Sequence, residues 1–184
     1  MIRVEALTAE RWDDFAALCR SMGPNRSCWC MWWRHDGAEQ KGSAKQRARA
    51  LVELAGRPIG LIAYIDDQPV GWVAVAPREE FPRLNRGRDT APVDERTGVW
   101  VVPCFFVAES HRRRGVTQAL LIAAVDLARS AGATMLEGVP GDPCTRQRTP
   151  AASYTGSTSL FSGCGFIEVA RRTPRGRVVM RREL

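Results

Sequence analysis

The chain has 184 residues, of which 45% are hydrophobic and 26% charged, a composition typical of one globular domain with a substantial core. No apolar run approaches the length of a membrane-spanning helix and the first residues lack a signal-peptide pattern, which excludes an integral membrane protein and predicts a cytoplasmic one. The formal net charge of +7 favours an anionic partner, and charge alone leaves nucleic acid, an acidic surface and a polyphosphate open.

The first part of the chain predicts a strand followed by two helices. Ile2–Ala6 alternates weakly, as a strand does, and apolar residues recur at helical spacing from Trp12 to Met22. Ser43 and Gln46 form a capping box, which predicts the start of a second helix. We expect one domain over residues 1–184, because no repeat, low-complexity tract or linker marks a boundary.

A hairpin and a long connection come next. Ile59–Ile65 and Val70–Ala76 are apolar strands around the sequence D-D-Q-P, which predicts an antiparallel pair. Pro77–Gly98 is rich in Arg, Pro and Asp, and its Arg78–Phe81 stretch favours a helical turn. Connections of this length inside a compact domain are often functional.

The centre of the chain predicts a buried strand that leads into a long helix. Val99–Val107 is almost continuously apolar, as in a strand covered on both faces. A segment rich in Ala and Leu then ends at Gly132. Thr134–Val139 follows as a strand parallel to the central one. A short helix and two strands close the chain, at Ser157–Gly163, Phe166–Ala170 and Arg177–Arg182.

The turn between the central strand and its helix has the chemistry of an anion site. It reads H-R-R-R-G-V-T over His111–Thr117. The first amides of a helix lack partners and carry the positive end of its dipole, so a phosphate binds there readily. Three arginines add charge, and Gly115 lets a ligand approach the main chain.

The pattern Arg112-x-x-Gly115-x-Thr117 resembles the coenzyme-A-binding motif of the GNAT N-acyltransferase superfamily, which reads Arg/Gln-x-x-Gly-x-Gly/Ala. Thr117 departs from the last position but keeps its backbone N–H. The hairpin D-D-Q-P-V-G-W, the strand C-F-F-V and the late S-L-F-S-G-C-G-F-I-E-V stand in the order of this superfamily. The resemblance implies an α/β (α+β) GNAT fold with a mixed, mostly antiparallel, twisted sheet and a splayed central strand pair flanked by helices.

The resemblance also implies acetyl-CoA as acyl donor. Pro103 removes a ladder donor from the central strand and marks a bulge, where this superfamily's strand leaves its parallel neighbour and admits the pantetheine arm. The residues then expected to bind coenzyme A are Arg112, Arg113, Arg114, Gly115, Val116 and Thr117, with the main chain of Phe105, Phe106 and Val107.

Acyl transfer to an amine requires a base for the amine and an acid for the departing thiolate. Many GNAT enzymes use a tyrosine as the acid, but that position here is Phe161. Tyr154 is the nearest substitute. The alternative is that Tyr154 is a loop tyrosine that covers the core. Glu137 is our candidate base, because an apolar setting would suit a carboxylate to take up a proton. The other candidates for the base are Asp142, Glu109, His111 and a chain of water molecules.

The segment C-W-C-M-W-W-R-H over Cys28–His35 is unusually rich in tryptophan and cysteine. By the same resemblance it lines the acceptor pocket, where Trp29, Trp32 and Trp33 would offer apolar walls or cation–π faces to an amine; core packing accounts for at least one of them. A metal site of Cys28, Cys30 and His35 with Cys144 is the weaker alternative, because no second cysteine pair is present, and we expect no metal.

Cysteines and the C-terminal arginines have plain interpretations. Without an export signal, reduced thiols are expected for all six cysteines, and Cys104 is read as core packing rather than as a nucleophile. The basic C-terminal segment is read as a solvated hairpin, since no nucleic-acid-binding motif accompanies it.

The sequence therefore predicts an N-acetyltransferase that moves an acetyl group from acetyl-CoA to a primary amine of a small molecule or protein by direct attack. The alternatives are a GNAT-shaped protein that binds acyl-CoA without catalysis, and a basic nucleic-acid-binding protein. A homodimer stays open, as for soluble proteins generally.

Overall fold

A computed structural model describes residues 1–23, 26–36, 41–141, 154–174 and 176–184. Its strands form one seven-stranded sheet in the order β1-β2-β3-β4-β5-β7-β6. Neighbouring strands are antiparallel except for the pair β4 and β5, which is parallel. The mixed, mostly antiparallel sheet is confirmed. The strands are β1 (Ile2–Ala6), β2 (Gly60–Ile65), β3 (Gln68–Pro77), β4 (Val99–Val107), β5 (Met135–Gly138), β6 (Ile167–Arg171) and β7 (Val178–Glu183).

Helices flank this sheet. They are α1 (Trp12–Arg20), α2 (Ala44–Leu54), α3 (Pro82–Asn85), α4 (Val116–Ser130) and α5 (Thr158–Gly163), with 3₁₀ turns at Ala9–Arg11, Arg78–Glu80 and Glu109–His111. In the part of the chain that the structure describes, none of these helices is both long and apolar enough to cross a membrane.

Local signals in the sequence explain where two elements begin. The capping box of α2 is formed as predicted: the Gln46 amide donates to Ser43 Oγ at 3.2 Å, and the Ser43 amide donates to Gln46 Oε1 at 2.7 Å. The turn between β2 and β3 is shorter than the predicted D-D-Q-P loop. Asp66 and Asp67 alone form it, both at positive φ, because Asp tolerates the left-handed conformation that a two-residue hairpin turn requires.

The two faces of the sheet carry different cores. Val73 and Leu136 pack with Leu120 of α4 on one face. Trp72, which points the opposite way from Val73, packs with Phe15 of α1 on the other. The long helix and the aromatic segment of the first half therefore lie on opposite sides of the central strands.

The central strand pair separates after four residues. β4 pairs with β5 from Val99 opposite Met135 to Val102 opposite Gly138, and Pro103 comes immediately after the last paired residue. A register shift in the pairing of β3 with β4 lies at the same level. The splayed strand pair is confirmed, and the opening begins at the proline that lacks an amide hydrogen.

Candidate functional site

Helix α4 begins at an end that no side chain caps. Its N-cap residue, Gly115, has φ 79° and makes no side-chain hydrogen bond, since it has no side chain. The first intrahelical bond to this residue runs from Ala119 N to Gly115 O at 3.0 Å. The amides of Val116, Thr117 and Gln118, in the first turn, are therefore left to an outside acceptor.

The approach to these amides is open and positively charged. A Cβ built on Gly115 would meet only Ile2 Cδ1, at 4.0 Å, so the main chain is accessible. Arg112, Arg113 and Arg114 are exposed beside it, and Arg112 Nε donates to Val107 O at 3.3 Å. The structure thus brings the six residues predicted for the phosphate end of coenzyme A together in one turn, next to the end of β4.

Along β4, the main-chain groups of successive residues point alternately toward β3 and toward the gap between β4 and β5. The Phe105 amide points away from β3 and donates to Tyr154 O at 2.5 Å. By alternation, Val107 faces the gap as well, whereas the main chain of Phe106 faces its partner Trp72 in β3. The prediction that Phe106 offers main-chain bonds to a ligand is therefore wrong, because β3 occupies that side.

Tyr154 and Phe161 both lie near the end of the parallel strand pair, and of the two only Tyr154 carries a hydroxyl. The Tyr154 ring stacks on Phe106 with centroids 6.3 Å apart, and its hydroxyl lies 3.5 Å from Met22 O. Phe161 is fully buried between Phe105 and Phe166, with centroid distances of 6.0 and 5.1 Å. The Tyr154 hydroxyl is thus directed to Met22 O, and its role as the acid stays a prediction.

Glu137 is buried, but its surroundings are charged rather than apolar. Only 1% of its side chain is exposed. Oε2 accepts from Arg78 Nη1, and Oε1 accepts from Arg181 Nε at 2.9 Å and Nη2 at 2.6 Å. The predicted apolar setting is wrong, and both carboxylate oxygens are engaged by cations. A carboxylate held in this way is a poor base, and we do not carry Glu137 forward in that role.

The same ion cluster extends to the long connection before β4. Arg181 Nη1 donates to Asp94 Oδ2 at 2.7 Å, and this bond lowers the pKa of Asp94 below its usual range. Burial lowers the pKa of Arg78, while the bond to Asp94 raises that of Arg181. The cluster links the connection before β4 to strands β5 and β7, so these ion pairs stabilise the fold.

The three tryptophans of the Cys28–His35 segment do not form one wall. Trp29 is a core residue that stacks on Trp12 at 5.7 Å. Trp32 is 59% exposed under the guanidinium of Arg83, at 3.8 Å, and Trp33 lies below Arg177 at 5.6 Å. Trp29 is therefore one of the tryptophans that core packing explains, and the acceptor role of Trp32 and Trp33 stays a prediction.

The described cysteines are free thiols. Cys104 Sγ lies 3.7 Å from Cys30 Sγ, which also accepts from Trp72 Nε1 at 3.0 Å. The bond from Cys104 and burial raise the pKa of Cys30, and burial raises that of Cys28, so neither is readily a thiolate. Within the described ranges no group of three metal-ligating side chains forms, and Cys144 and Asp142 lie outside those ranges.

A cavity that the sequence did not predict lies between α2 and the aromatic segment. We call it the arginine cavity; its volume is about 390 Å³, and it is lined by Met31, Arg34, Arg47, Leu51, Ala55, Arg57 and Glu80. One feature of the sequence indicated that a charge lies at this position. Arg47 stands four residues before Leu51, on the apolar face of the predicted helix, where a charge requires an explanation.

Comparison with known proteins decides the family. A sequence model of the acetyltransferase (GNAT) family matches residues 25–143, well over half of the chain. The chain belongs to the GNAT acetyltransferase family. A comparison with curated protein sequences finds no match.

Solved GNAT structures share the fold over the whole chain. A GCN5-related N-acetyltransferase from Kribbella flavida has 18% identity and a TM-score of 0.59, covering 100% of this chain and 98% of its own. A ribosomal-protein-alanine N-acetyltransferase from Brucella melitensis has 18% identity and a TM-score of 0.59, covering 99% of each chain. The PaiA N-acetyltransferase from Thermoplasma acidophilum, in complex with coenzyme A, has 12% identity and a TM-score of 0.52, covering 100% and 99%. The GNAT fold class is confirmed.

Proposed function

We propose that this GNAT protein transfers an acetyl group from acetyl-CoA to a primary amine of a small molecule or protein. The observation that carries the proposal is the uncapped first turn of α4, with its left-handed Gly115 and three exposed arginines, beside the point where β4 leaves β5. A phosphate group fits this turn because free amides, a helix dipole and cationic side chains converge there.

Residues of this chain would hold the two ends of the donor. Arg112–Thr117 would bind the pyrophosphate, and the main chain of Phe105 and Val107 would bind the arm that lies in the gap. Acetyl-CoA supplies a thioester whose carbonyl carbon the amine attacks directly. The end of the β4–β5 pairing at Val102 supports this assignment, because the edge of β4 beyond it is not paired with β5.

The proton balance is proposed to involve Tyr154 and water. The amine loses a proton, and with Glu137 engaged by two arginines we assign that proton to water. The departing thiolate gains a proton, for which Tyr154 is the proposed donor, since its ring lies beside β4 and stacks on Phe106. The phenolate that this leaves then recovers a proton from water. The cytoplasmic location and the homodimer stay predictions.

A second function is favoured by two observations. Phe161 is buried where many GNAT enzymes have their tyrosine, and Glu137 is not a free carboxylate. A protein that binds acyl-CoA without transferring the acyl group is consistent with both. Amine-dependent release of free coenzyme A from acetyl-CoA by the wild-type protein would exclude this alternative.

The donor site is tested with two glycine variants of α4. Gly115→Glu places a carboxylate in the Arg112–Thr117 turn, and we expect acetyl-CoA affinity to fall at least about tenfold by titration calorimetry. Gly132→Glu is the matched control, because Gly132 has φ 78° at the opposite end of the same helix, with open space beyond its Cα. Equal affinities in the two variants would refute the site.

The catalytic step is followed through thiol release in the presence of amines. We expect Tyr154→Phe to bind acetyl-CoA with unchanged affinity and to release thiol about a hundredfold more slowly. An unchanged rate would remove Tyr154 from the proposal and leave the donor site standing.

A further inference from the structure

The arginine cavity holds more positive charge than its own carboxylate neutralises. Arg34 Nη1 and Arg57 Nη2 both contact Glu80, one at each carboxylate oxygen. Arg47 also lines the cavity and donates to Gly42 O, a neutral acceptor. Three guanidinium groups therefore face a single acidic side chain of the cavity, and the arrangement favours an additional anion.

Two arginines that line this cavity each have one buried guanidinium nitrogen without a hydrogen-bond partner among the described residues. The two nitrogens are Arg34 Nη2 and Arg47 Nε, and only 9% of the Arg34 side chain is exposed. A buried donor without an acceptor is unfavourable, and a charged donor more so. A carboxylate satisfies such donors particularly well, because its two oxygens match the geometry of guanidinium N–H groups.

Burial in the cavity disfavours the charged form of two of its arginines. Burial lowers the pKa of Arg34 to about 10, so the side chain stays protonated at neutral pH. Burial, and then the positive charge of Arg34, lower the pKa of Arg57. A bound anion would offset both effects.

The apolar wall of the cavity packs in the same cluster as residues near the opening in the sheet. Met31, Leu51 and Ala55 line the cavity, and they belong to the apolar cluster that also includes Cys104 and Tyr154. Cys104 directly follows Pro103, where β4 leaves β5, and its Sγ lies 3.7 Å from that of Cys30. A molecule bound in the cavity against Met31 and Leu51 would therefore lie on the face of the sheet that carries Cys104 and Tyr154.

We propose that the arginine cavity binds the carboxylate of the acceptor, which is a small aliphatic amino acid rather than a simple amine. Arg34 and Arg47 would bind the carboxylate, while Met31, Leu51 and Ala55 provide an apolar wall for a short carbon chain. The inference rests on the proposed function, because it assigns the acceptor of the same reaction.

The test compares acceptors that differ only in the anionic group. Amino acids with an increasing distance between amine and carboxylate, from glycine through β-alanine to longer homologues, are each paired with their carboxamide. For the best chain length we expect kcat/KM with acetyl-CoA to be at least about tenfold higher for the acid than for the amide. Arg47→Gln should bring that ratio close to one.

Arg49→Gln is the matched control, since Arg49 lies on the same helix with 46% of its side chain exposed, and it should keep the preference. Should Arg47→Gln fail to fold, Arg57→Gln removes another cation from the cavity and must show the same loss. Equal rates for acids and amides in a protein that turns over acetyl-CoA would overturn the inference and leave the proposed function intact.

If the protein acetylates no amine, a direct binding measurement still tests the arginine cavity separately from the proposed function. The N-acetylated form of the preferred amino acid is titrated by calorimetry into the wild-type protein and Arg47→Gln. Binding that depends on Arg47, in a protein that acetylates no amine, would support the cavity and refute the proposed function. Binding of the same affinity to both proteins would refute the cavity.

Discussion

The carboxylate of Glu137 shows how partners decide what a buried acid does. It contacts two guanidinium groups, from Arg78 and Arg181, and hardly any of it reaches solvent. Removing one member of a buried ion pair leaves uncompensated charge, which typically costs about 3–5 kcal/mol. A catalytic base would have a different signature, because its removal affects the rate more than the fold.

We therefore expect Glu137→Gln to lower the free energy of unfolding by about 3 kcal/mol in urea titrations. Glu168→Gln is the control; Glu168 forms an exposed i, i+3 pair with Arg171, and such pairs contribute roughly 0–1 kcal/mol. A variant at Glu137 with wild-type stability and a greatly reduced rate of acetyl transfer would restore the residue as the base.

The error over Glu137 has a simple physical source. Its neighbours in sequence, M-L-E-G-V, are apolar, and they predict an apolar setting. Its neighbours in space come from positions 59 and 44 residues away along the chain. Local sequence predicted burial correctly, but the partners that compensate the charge depend on which strands and connections meet.

At the scale of elements, strand β5 packs closely against helix α5 where Gly138 meets Phe161. A Cβ on Gly138 would lie 2.1 Å from Phe161 Cε1, so this position admits no side chain while the ring stays in place. Phe161 is itself fully buried. The contact fixes α5, and with it the residues just after Tyr154, against the end of the parallel strand pair.

Gly138→Ala is expected to destabilise the protein by about 1–3 kcal/mol, because the core around the ring is overpacked. Thermal and urea unfolding measure the change. Gly163→Ala, at the end of α5 with nothing within 4 Å of a new Cβ, should cost far less. Equal losses in both variants would show that the Phe161 contact does not limit this position.

Most elements were predictable because their signals are local. The capping box at Ser43, the apolar run of β4 and the glycine stop after α4 each act within a few residues, and each predicted element is present. Sheet order is not local: β7 lies between β5 and β6. The uncapped turn at Arg112–Thr117 was likewise recognisable from its sequence, whereas the arginine cavity combines α2 with distant segments.

At the scale of the whole molecule, one charge cluster, buried at Glu137 and exposed at Asp94, connects parts of the chain that are far apart. Asp94 belongs to the connection before β4, Glu137 to β5 and Arg181 to β7. The hydrogen bond from Arg181 lowers the pKa of Asp94 from its ordinary value of 3.8. A carboxyl group with a lowered pKa in the folded state stabilises that state above its unfolded pKa and loses the effect as the pH falls through the folded pKa.

The stability difference between wild type and Asp94→Asn should therefore be largest at neutral pH and shrink in acid, below the ordinary value of 3.8. Urea unfolding from neutral to acid pH measures it. Asp126→Asn, which removes an exposed pair with Arg129 on α4, serves as a control with a small difference throughout. A difference between wild type and Asp94→Asn that stays constant in acid would contradict the argument.

The amide of Phe105 has a consequence for the order in which the substrates bind. It already donates to the Tyr154 carbonyl, and one hydrogen cannot serve two acceptors fully. A donor arm that takes this amide must displace the carbonyl, so the free energy of that contact is subtracted from donor affinity. Under the proposed function, a bound donor would loosen the segment that begins at Tyr154 and make it more adaptable to the second substrate. Because the coupling between two sites is reciprocal, we expect the acceptor to bind more tightly after the donor than before it.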